Sequence, residues 1–164
     1  MRTMLGRIIL LLFTFCFLLL TCHGQERFSS QPRIQPKPEA IAETRLLMEG
    51  LNLANFRGLE RLLTARPAST DAWTFARGQA LLIAETGNLL MLRQPRTEGR
   101  SAWLERAADL RASSTRLARA IAARDYDQSR ALFIGLANTC NQCHQSFRVS
   151  ARITPFAQSS EPVP

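Results

Sequence analysis

The most informative stretch of the sequence is QSRALFIGLANTCNQCHQSFRV, which runs from Gln128 to Val149. Within it, Cys140 and Cys143 are three residues apart, and His144 follows directly. Side chains three or four positions apart lie on one face of a helix, and the apolar residues upstream recur at the same steps. The stretch therefore predicts a helix that presents two thiols and one imidazole from an apolar face.

The five residues CNQCH, at positions 140–144, match the Cys-x-x-Cys-His motif by which c-type haem is attached. Two thiols on one helix face can add to the two vinyl groups of a haem, and the histidine then presents a ring nitrogen to the iron from the same side. We therefore expect one covalent haem c, attached through Cys140 and Cys143, with its iron bound by His144.

Three other interpretations of the two cysteines remain open. A structural zinc site normally needs four Cys or His ligands, and the motif offers three. A thioredoxin-like redox pair normally belongs to a βαβ unit, and a plain disulfide would leave the adjacent histidine without a role. Haem attachment accounts for all three side chains together, and we take it as the main interpretation.

The N-terminal segment, residues 1–24, has the anatomy of a secretory signal peptide. Arg2 and Arg7 give it a basic start, and residues 8–20 form an apolar run that is shorter than the roughly 20 residues of a bilayer span. We therefore expect the chain to be secreted. Membrane attachment is expected only if this segment is retained as an anchor or acylated at Cys22. Without the segment, the chain keeps only the two cysteines and the histidine of CNQCH.

Four helical patterns, separated by proline or by short polar turns, occupy the rest of the chain. Their apolar residues recur at steps of three and four, and no stretch alternates with the period of a strand. Ser69 or Thr70 is expected to cap the second helix, and Asp125 or Asp127 the fourth. The pattern predicts an all-α fold, an antiparallel four-helix bundle, with helices over residues 38–65, 71–92, 101–123 and 128–149.

The composition indicates one domain between two less ordered segments. The chain has 164 residues, of which 46% are hydrophobic, enough for one sizeable core. Polar and proline-rich residues precede the first helix. We therefore predict a signal peptide at residues 1–24, a flexible leader at 25–37, a four-helix-bundle cytochrome domain at 38–150 whose last helix attaches the haem, and a flexible tail at 151–164.

From about residue 37 to residue 150, the chain resembles the cytochrome c′ family, including its six-coordinate, low-spin relatives. The resemblance rests on the continuation Cys-His-x-x-Phe-Arg at residues 143–148, on KPEAIAETR at residues 37–45, and on the acidic turn before the fourth helix. It implies a four-helix bundle, often a homodimer, that is exported to the bacterial periplasm.

The resemblance also implies which residues face the other side of the iron. In relatives the distal residue follows an arginine such as Arg45, often by four positions, where this chain has Glu49. Met48 follows by three and is the candidate sixth ligand; Met91 is a less favoured candidate, and a vacant position is the alternative. Arg45 and Arg148 are candidate contacts of the haem rim.

The net charge and the Cys-x-x-Cys-His motif together indicate which classes of function to expect. The formal net charge is +8, from 20 arginines and one lysine spread over the chain, and no nucleic-acid-binding motif accompanies it. A positive surface suits an acidic redox partner. We expect a carrier, not an enzyme, that transfers one electron through Fe(II)/Fe(III). A five-coordinate haem protein that binds nitric oxide or carbon monoxide and a haem-free helical interaction protein with a disulfide are the alternatives.

Overall fold

The computed structural model of the chain describes residues 36–95 and 98–156. Its contacts divide the chain into two units, Met1–Lys37 and Pro38–Pro164, and every helix described below belongs to the second. The expected signal peptide and nearly all of the expected leader lie outside the described residues, as do residues 157–164 of the expected tail.

Four helices make up the described part of the chain, which contains no β-strand. Helix α1 covers residues 44–63 without a break, but it changes from α-helical (Thr44–Leu47) to π-helical (Met48–Leu53) and back to α-helical (Ala54–Leu63). The prediction of an all-helical chain with four helices is confirmed. None of the described helices is long and apolar enough to cross a bilayer. The other three are α2 (Thr70–Met91), α3 (Arg100–Ala122) and α4 (Tyr126–Ser146).

Local side chains determine where two of these helices begin. Ser69 Oγ accepts a hydrogen bond of 3.1 Å from the amide of Ala72, and Asp125 Oδ1 accepts one of 3.0 Å from the amide of Gln128. An N-cap side chain of this kind satisfies an amide that the first helical turn leaves unpaired. In each case the cap is one of the two residues that the sequence predicted.

Helix α1 begins at Thr44, whereas the sequence pattern predicted a start at Pro38. In a longer helix the carbonyl of Ala42 would accept a bond from an amide one turn later. Here it accepts a hydrogen bond of 3.1 Å from Nε of Arg93 instead. Ile41, which falls within the predicted helix, is therefore outside the observed one and 87% exposed. A tertiary contact thus shortens the helix that local sequence alone would allow.

The core lies between the apolar faces of the four helices. Helix α2 packs extensively on α3, α3 packs on α4, and α1 contacts both α2 and α4. The close approach of α2 to α3 depends on Gly87, where a Cβ would lie 2.8 Å from the carbonyl oxygen of Ala107. Phe56 of α1 stacks on Phe133 of α4 with ring centroids 4.4 Å apart. The largest completely buried apolar side chains are Leu59, Leu63, Ile83, Leu117, Ile121, Phe133 and Leu136.

Residues 147–156, which we call the C-terminal strap, fold back onto the helices. The side-chain amide of Asn141 in α4 donates to the carbonyl of Ile153 and its oxygen accepts from the amide of Ile153, both at 2.8 Å. The ring of Phe156 lies 5.3 Å from that of Phe133. The sequence predicted a flexible tail from residue 151 onward; its described part is held by these hydrogen bonds and aromatic contacts.

Candidate functional site

Helix α4 brings the three residues of the Cys-x-x-Cys-His motif to one cavity. Cys140 is only 6% exposed, and Cys143 and His144 are half-buried. All three line the same cavity of about 480 Å³, a size at which proteins bind small molecules and cofactors. Cys140, Cys143 and His144 therefore share one face of α4, as predicted from their spacing, and that face borders the cavity.

The cavity is lined mainly by two groups of residues. The α1 wall belongs to the first helix, and the α4 wall combines the motif with the C-terminal strap. Leu90 of α2 and Trp103 of α3 complete the lining. The α1 wall consists of Thr44, Arg45, Met48, Glu49, Asn52, Leu53 and Phe56. The α4 wall consists of Cys140, Cys143, His144, Phe147, Val149, Ala151 and Ile153.

Both cysteines are free thiols in surroundings that favour neutral sulfur. Burial raises the pKa of the Cys140 thiol to about 12, and the neighbouring Cys143 adds to the effect. Burial also raises the pKa of Cys143, against a smaller opposing effect of the Arg106 guanidinium. A reactive redox cysteine needs a depressed pKa, so the electrostatics of this pair are opposite to those of a thioredoxin-like site.

The described residues also offer no protein-only metal centre. Within residues 36–95 and 98–156, no group of three or more His, Cys, Asp and Glu side chains is arranged to hold a metal ion. A structural zinc site would need four such ligands. The zinc interpretation of the motif therefore has no support in this part of the chain.

The imidazole of His144 has one ring nitrogen engaged by the C-terminal strap. Nδ1 lies 2.7 Å from the carbonyl oxygen of Ala151. Because a carbonyl only accepts hydrogen bonds, this contact requires the proton on Nδ1, and in the neutral ring the lone pair is then on Nε2. Metal-binding histidines are commonly held in this way, since the second hydrogen bond fixes both the tautomer and the orientation of the ring. Nε2 is thus prepared to donate to a metal.

Asn141, the first variable residue of the motif, determines where the strap lies. Its two hydrogen bonds to the backbone of Ile153 fix a residue two positions after Ala151. The backbone amide of Phe156 donates to Glu60 Oε1 and secures the far end of the strap. The carbonyl that holds His144 is therefore positioned by a side chain from within the motif itself, a role that the sequence analysis did not assign.

The α1 wall is built on the π-helical turn Met48–Leu53. Turns of this kind are rare in proteins and are frequently found at functional sites. Met48, the candidate sixth ligand, is half-buried and lines the cavity from this turn. The structure thus brings the candidate ligand and His144 to the same cavity on different helices.

Arg45 also lines the cavity, and it is largely exposed. Its Nε donates to Glu49 Oε1 at 2.9 Å, and this hydrogen bond raises the pKa of the guanidinium. Glu49, four residues after Arg45, lines the cavity as well. Both spacings considered from the sequence, three and four residues after Arg45, therefore reach the cavity.

Two predicted candidates lie away from the cavity. Arg148 is exposed, has a φ of 55° at the start of the strap and does not contribute to the lining. Met91 packs against the core at the end of α2 and does not line the cavity either. Conversely, Trp103 was not among the predicted site residues, but it lines the cavity, and its Nε1 donates to the carbonyl of Leu90 at 2.7 Å.

The sequence analysis missed one further residue of the cavity, Asn52. It is 6% exposed and lies on the α1 wall, and its Oδ1 has no hydrogen-bond partner among the described residues. The signal was present in the sequence, since Met48, Asn52 and Phe56 recur at steps of four along an apolar stripe. A polar residue within such a stripe indicates either a buried hydrogen bond or a ligand.

Comparisons of the chain with protein-family models, with curated proteins and with solved structures found no match in any of the three. The function of the site has to be judged from its own residues and their geometry.

Proposed function

We propose that α1, α2, α3 and α4 form an antiparallel four-helix bundle. Each helix packs on the next one along the chain, and α1 also contacts α4, as expected when four helices surround a common core. The helices are joined by short connections, residues 64–69, 92–99 and 123–125. Short connections favour opposite directions for consecutive helices, which supports the antiparallel arrangement.

We propose that the cavity holds one haem c, attached through Cys140 and Cys143, with Nε2 of His144 as an iron ligand. The observation that carries the proposal is the convergence of these three side chains on one largely apolar cavity. A thioether sulfur is neutral, so it suits surroundings that disfavour a thiolate. A porphyrin supplies four nitrogen donors, so the protein needs only axial ligands and no four-ligand cluster.

The α1 wall supplies the remaining candidate contacts. Met48 of α1 lines the same cavity as His144 of α4, and its thioether would be available as a sixth ligand. Arg45, exposed and in the cavity lining, offers a guanidinium to an ionised propionate of the cofactor. Bound haem would supply a one-electron couple of its iron, and a methionine ligand would favour electron transfer over catalysis.

We therefore propose an exported c-type cytochrome, of the kind the cytochrome c′ resemblance implies, that acts as a one-electron carrier and not as an enzyme. Export to the periplasm rests on the N-terminal segment. An acidic redox partner is proposed from the positive charge of the chain, and a homodimer from the resemblance.

The test is to produce the full chain in cells equipped for cytochrome maturation, alongside a variant with Cys140→Ser and Cys143→Ser. The expected result is an intense Soret band and a mass increased by one haem in the parent, with neither covalent adduct nor denaturant-resistant colour in the variant. A colourless parent whose mass corresponds to free or disulfide-linked cysteines would refute the proposal and favour the haem-free alternative. The same mass also shows whether the N-terminal segment is removed.

A second candidate function, binding of small gases at a five-coordinate iron, is favoured by one observation. The α1 wall carries the buried amide of Asn52 in addition to Met48. A polar group on this wall can stabilise a small ligand bound at the iron. Binding of carbon monoxide by the reduced protein, without mutation of Met48, is the result expected for this candidate.

A further inference from the structure

Asn52 carries a buried amide that the described structure does not use. The residue is 6% exposed and lines the cavity from the π-helical turn of α1. Its Oδ1 has no partner within the part of the chain that the structure describes. Leaving a buried polar atom unpaired is costly, and native proteins normally satisfy such atoms with protein, water or ligand. The amide of Asn52 therefore has one unused hydrogen-bonding atom, the acceptor Oδ1, buried in the α1 wall.

Asn55, three residues later in the same helix, shows what a structural asparagine looks like. It is similarly buried, 8% exposed, but its Nδ2 donates to the carbonyl of Leu51 at 2.6 Å, and it does not line the cavity. Two other buried atoms among the described residues have no partner, Gln79 Oε1 and Ser114 Oγ. Neither residue lines the cavity, so Asn52 alone of these combines an unpaired amide atom with a place at the site.

We propose that Asn52 determines which ligand the site accepts, by donating a hydrogen bond to a small neutral diatomic ligand bound on the α1 side of the cavity. The inference rests on the proposed haem and deepens the gas-binding candidate. Rotation of the amide by half a turn exchanges Oδ1 and Nδ2 with almost no change of shape, so the side chain can present N–H groups to the cavity.

The surroundings of Asn52 define the ligand class. Leu53 and Phe56 beside it on the α1 wall are apolar, and a hydrogen bond in such surroundings is stronger than one exposed to water. An amide is also neutral, so it does not attract anions. Arg45 and Glu49 on the same wall are paired with each other. The immediate neighbours of Asn52 therefore favour an uncharged ligand whose terminal atom accepts a hydrogen bond, such as dioxygen or nitric oxide, over carbon monoxide, which accepts one only weakly.

The experiment compares Asn52→Leu with Asn55→Leu in the full, haem-loaded chain. Leucine removes the amide in both cases and keeps the number and branching of the side-chain heavy atoms, but only the first change alters the cavity. Both variants are also made in a Met48→Ala background, which vacates the sixth position if the thioether occupies it. Carbon monoxide is the probe for infrared spectroscopy of the reduced protein, and nitric oxide is the probe for dissociation kinetics.

The C–O stretching band is expected at higher wavenumber in Asn52→Leu than in the parent, because an N–H dipole near the terminal oxygen draws electron density into the antibonding orbital of the bound ligand. Nitric oxide is expected to dissociate about three- to tenfold faster, the effect of losing one ordinary hydrogen bond. Asn55→Leu is expected to match the parent in both measurements. If Asn52→Leu does not fold, Asn52→Ala provides the same comparison.

An unchanged band and an unchanged dissociation rate in Asn52→Leu would overturn the assignment of Asn52 and leave the haem proposal intact. Equal changes in Asn52→Leu and Asn55→Leu would also overturn it, because they would indicate a general effect on α1. Absence of any haem absorption in the parent would overturn the proposed function and this inference together. These outcomes therefore distinguish an error in the role assigned to Asn52 from an error in the proposed cofactor.

Discussion

The α4 wall and the α1 wall of the cavity differ in how completely their polar groups are paired. On the α4 wall, the ring of His144 is held by Ala151, and the strap that contains Ala151 is held by two hydrogen bonds from Asn141. On the α1 wall, the helix departs from α-helical geometry over Met48–Leu53, and Asn52 Oδ1 is left without a described partner.

This difference indicates that the two walls have different roles. Groups that must hold a cofactor in one position benefit from being fixed by a further layer of hydrogen bonds. Groups that must respond to a ligand or exchange one are expected to keep unused hydrogen-bonding capacity. We therefore expect changes in the α4 wall to affect attachment and stability, and changes in the α1 wall to affect ligation.

The largest effect is expected from His144→Ala. The two cysteines remain, so the covalent haem adduct should still be detected by mass spectrometry, but the native ligation should be lost together with the native visible spectrum. Gln145→Ala, at an exposed position of the same helix, is the matched control and should keep the parent spectrum. If His144→Ala has the spectrum of the parent, the α4 wall does not supply the axial ligand.

Met48→Ala tests the other wall. If Met48 is the sixth ligand, the change should convert a low-spin spectrum to a high-spin one, because a five-coordinate iron has a weaker ligand field. Met91→Ala removes a half-buried methionine that does not line the cavity and should leave the spin state unchanged. A high-spin spectrum in the unmutated protein would instead indicate a vacant position, and then neither substitution should alter it.

When no haem is attached, Cys140 should make the free energy of unfolding depend on pH in the alkaline range. Its thiol has an ordinary pKa of 9.0, and the folded chain raises that pKa to about 12. Between these values the folded state retains a proton that the unfolded state has lost, so the free energy of unfolding should fall as pH rises through this range. Below the lower value, both states are protonated and the contribution is constant.

Urea unfolding of the haem-free chain at a series of pH values measures this fall. Cys140→Ala should make it shallower, and the haem-attached protein should lack the contribution of Cys140 because a thioether has no proton to lose. If the free energy of unfolding falls equally steeply with alkaline pH in Cys140→Ala and in the haem-free parent, the Cys140 thiol does not cause the fall.

The smallest of these effects is expected from Asn141→Ala. The substitution removes both hydrogen bonds to Ile153 and should lower the free energy of unfolding by about 1–3 kcal/mol. It should also accelerate hydrogen exchange at the amide of Ile153, which then lacks its acceptor. Asn138→Ala, an exposed asparagine of the same helix, is the control. Equal stability and equal exchange in the two variants would mean that Asn141 does not hold the strap.

The parts of the site that depend on local spacing could be predicted from the sequence. A helix places residues at steps of three and four on one face whatever surrounds it, so the common face of Cys140, Cys143 and His144 follows from their numbering. The caps at Ser69 and Asp125 are similarly local, since each bonds an amide three residues ahead. These features require no knowledge of the tertiary structure.

The remaining features depend on contacts between distant residues, which periodicity does not encode. The late start of α1 follows from a hydrogen bond between Arg93 and Ala42, and the folded strap from the bonds between Asn141 and Ile153. The π-helical turn gives no regular pattern of its own, because the residues of α1 still recur at steps of four. The place of Asn52 on the apolar stripe could be read from its spacing, but the missing partner of its Oδ1 is a feature of the tertiary structure.

The C-terminal strap has a consequence for the order of events during biosynthesis. A polypeptide is made from its amino end, so the thiols emerge before the carbonyl of Ala151 and the backbone of Ile153 that enclose them later. In that interval the sulfur atoms are hydrated, their pKa is near the ordinary value, and a larger fraction is in the nucleophilic thiolate form. Folding then shields the same atoms and suppresses their reactivity. Chemistry at these cysteines is therefore easiest on the newly made chain, before it folds.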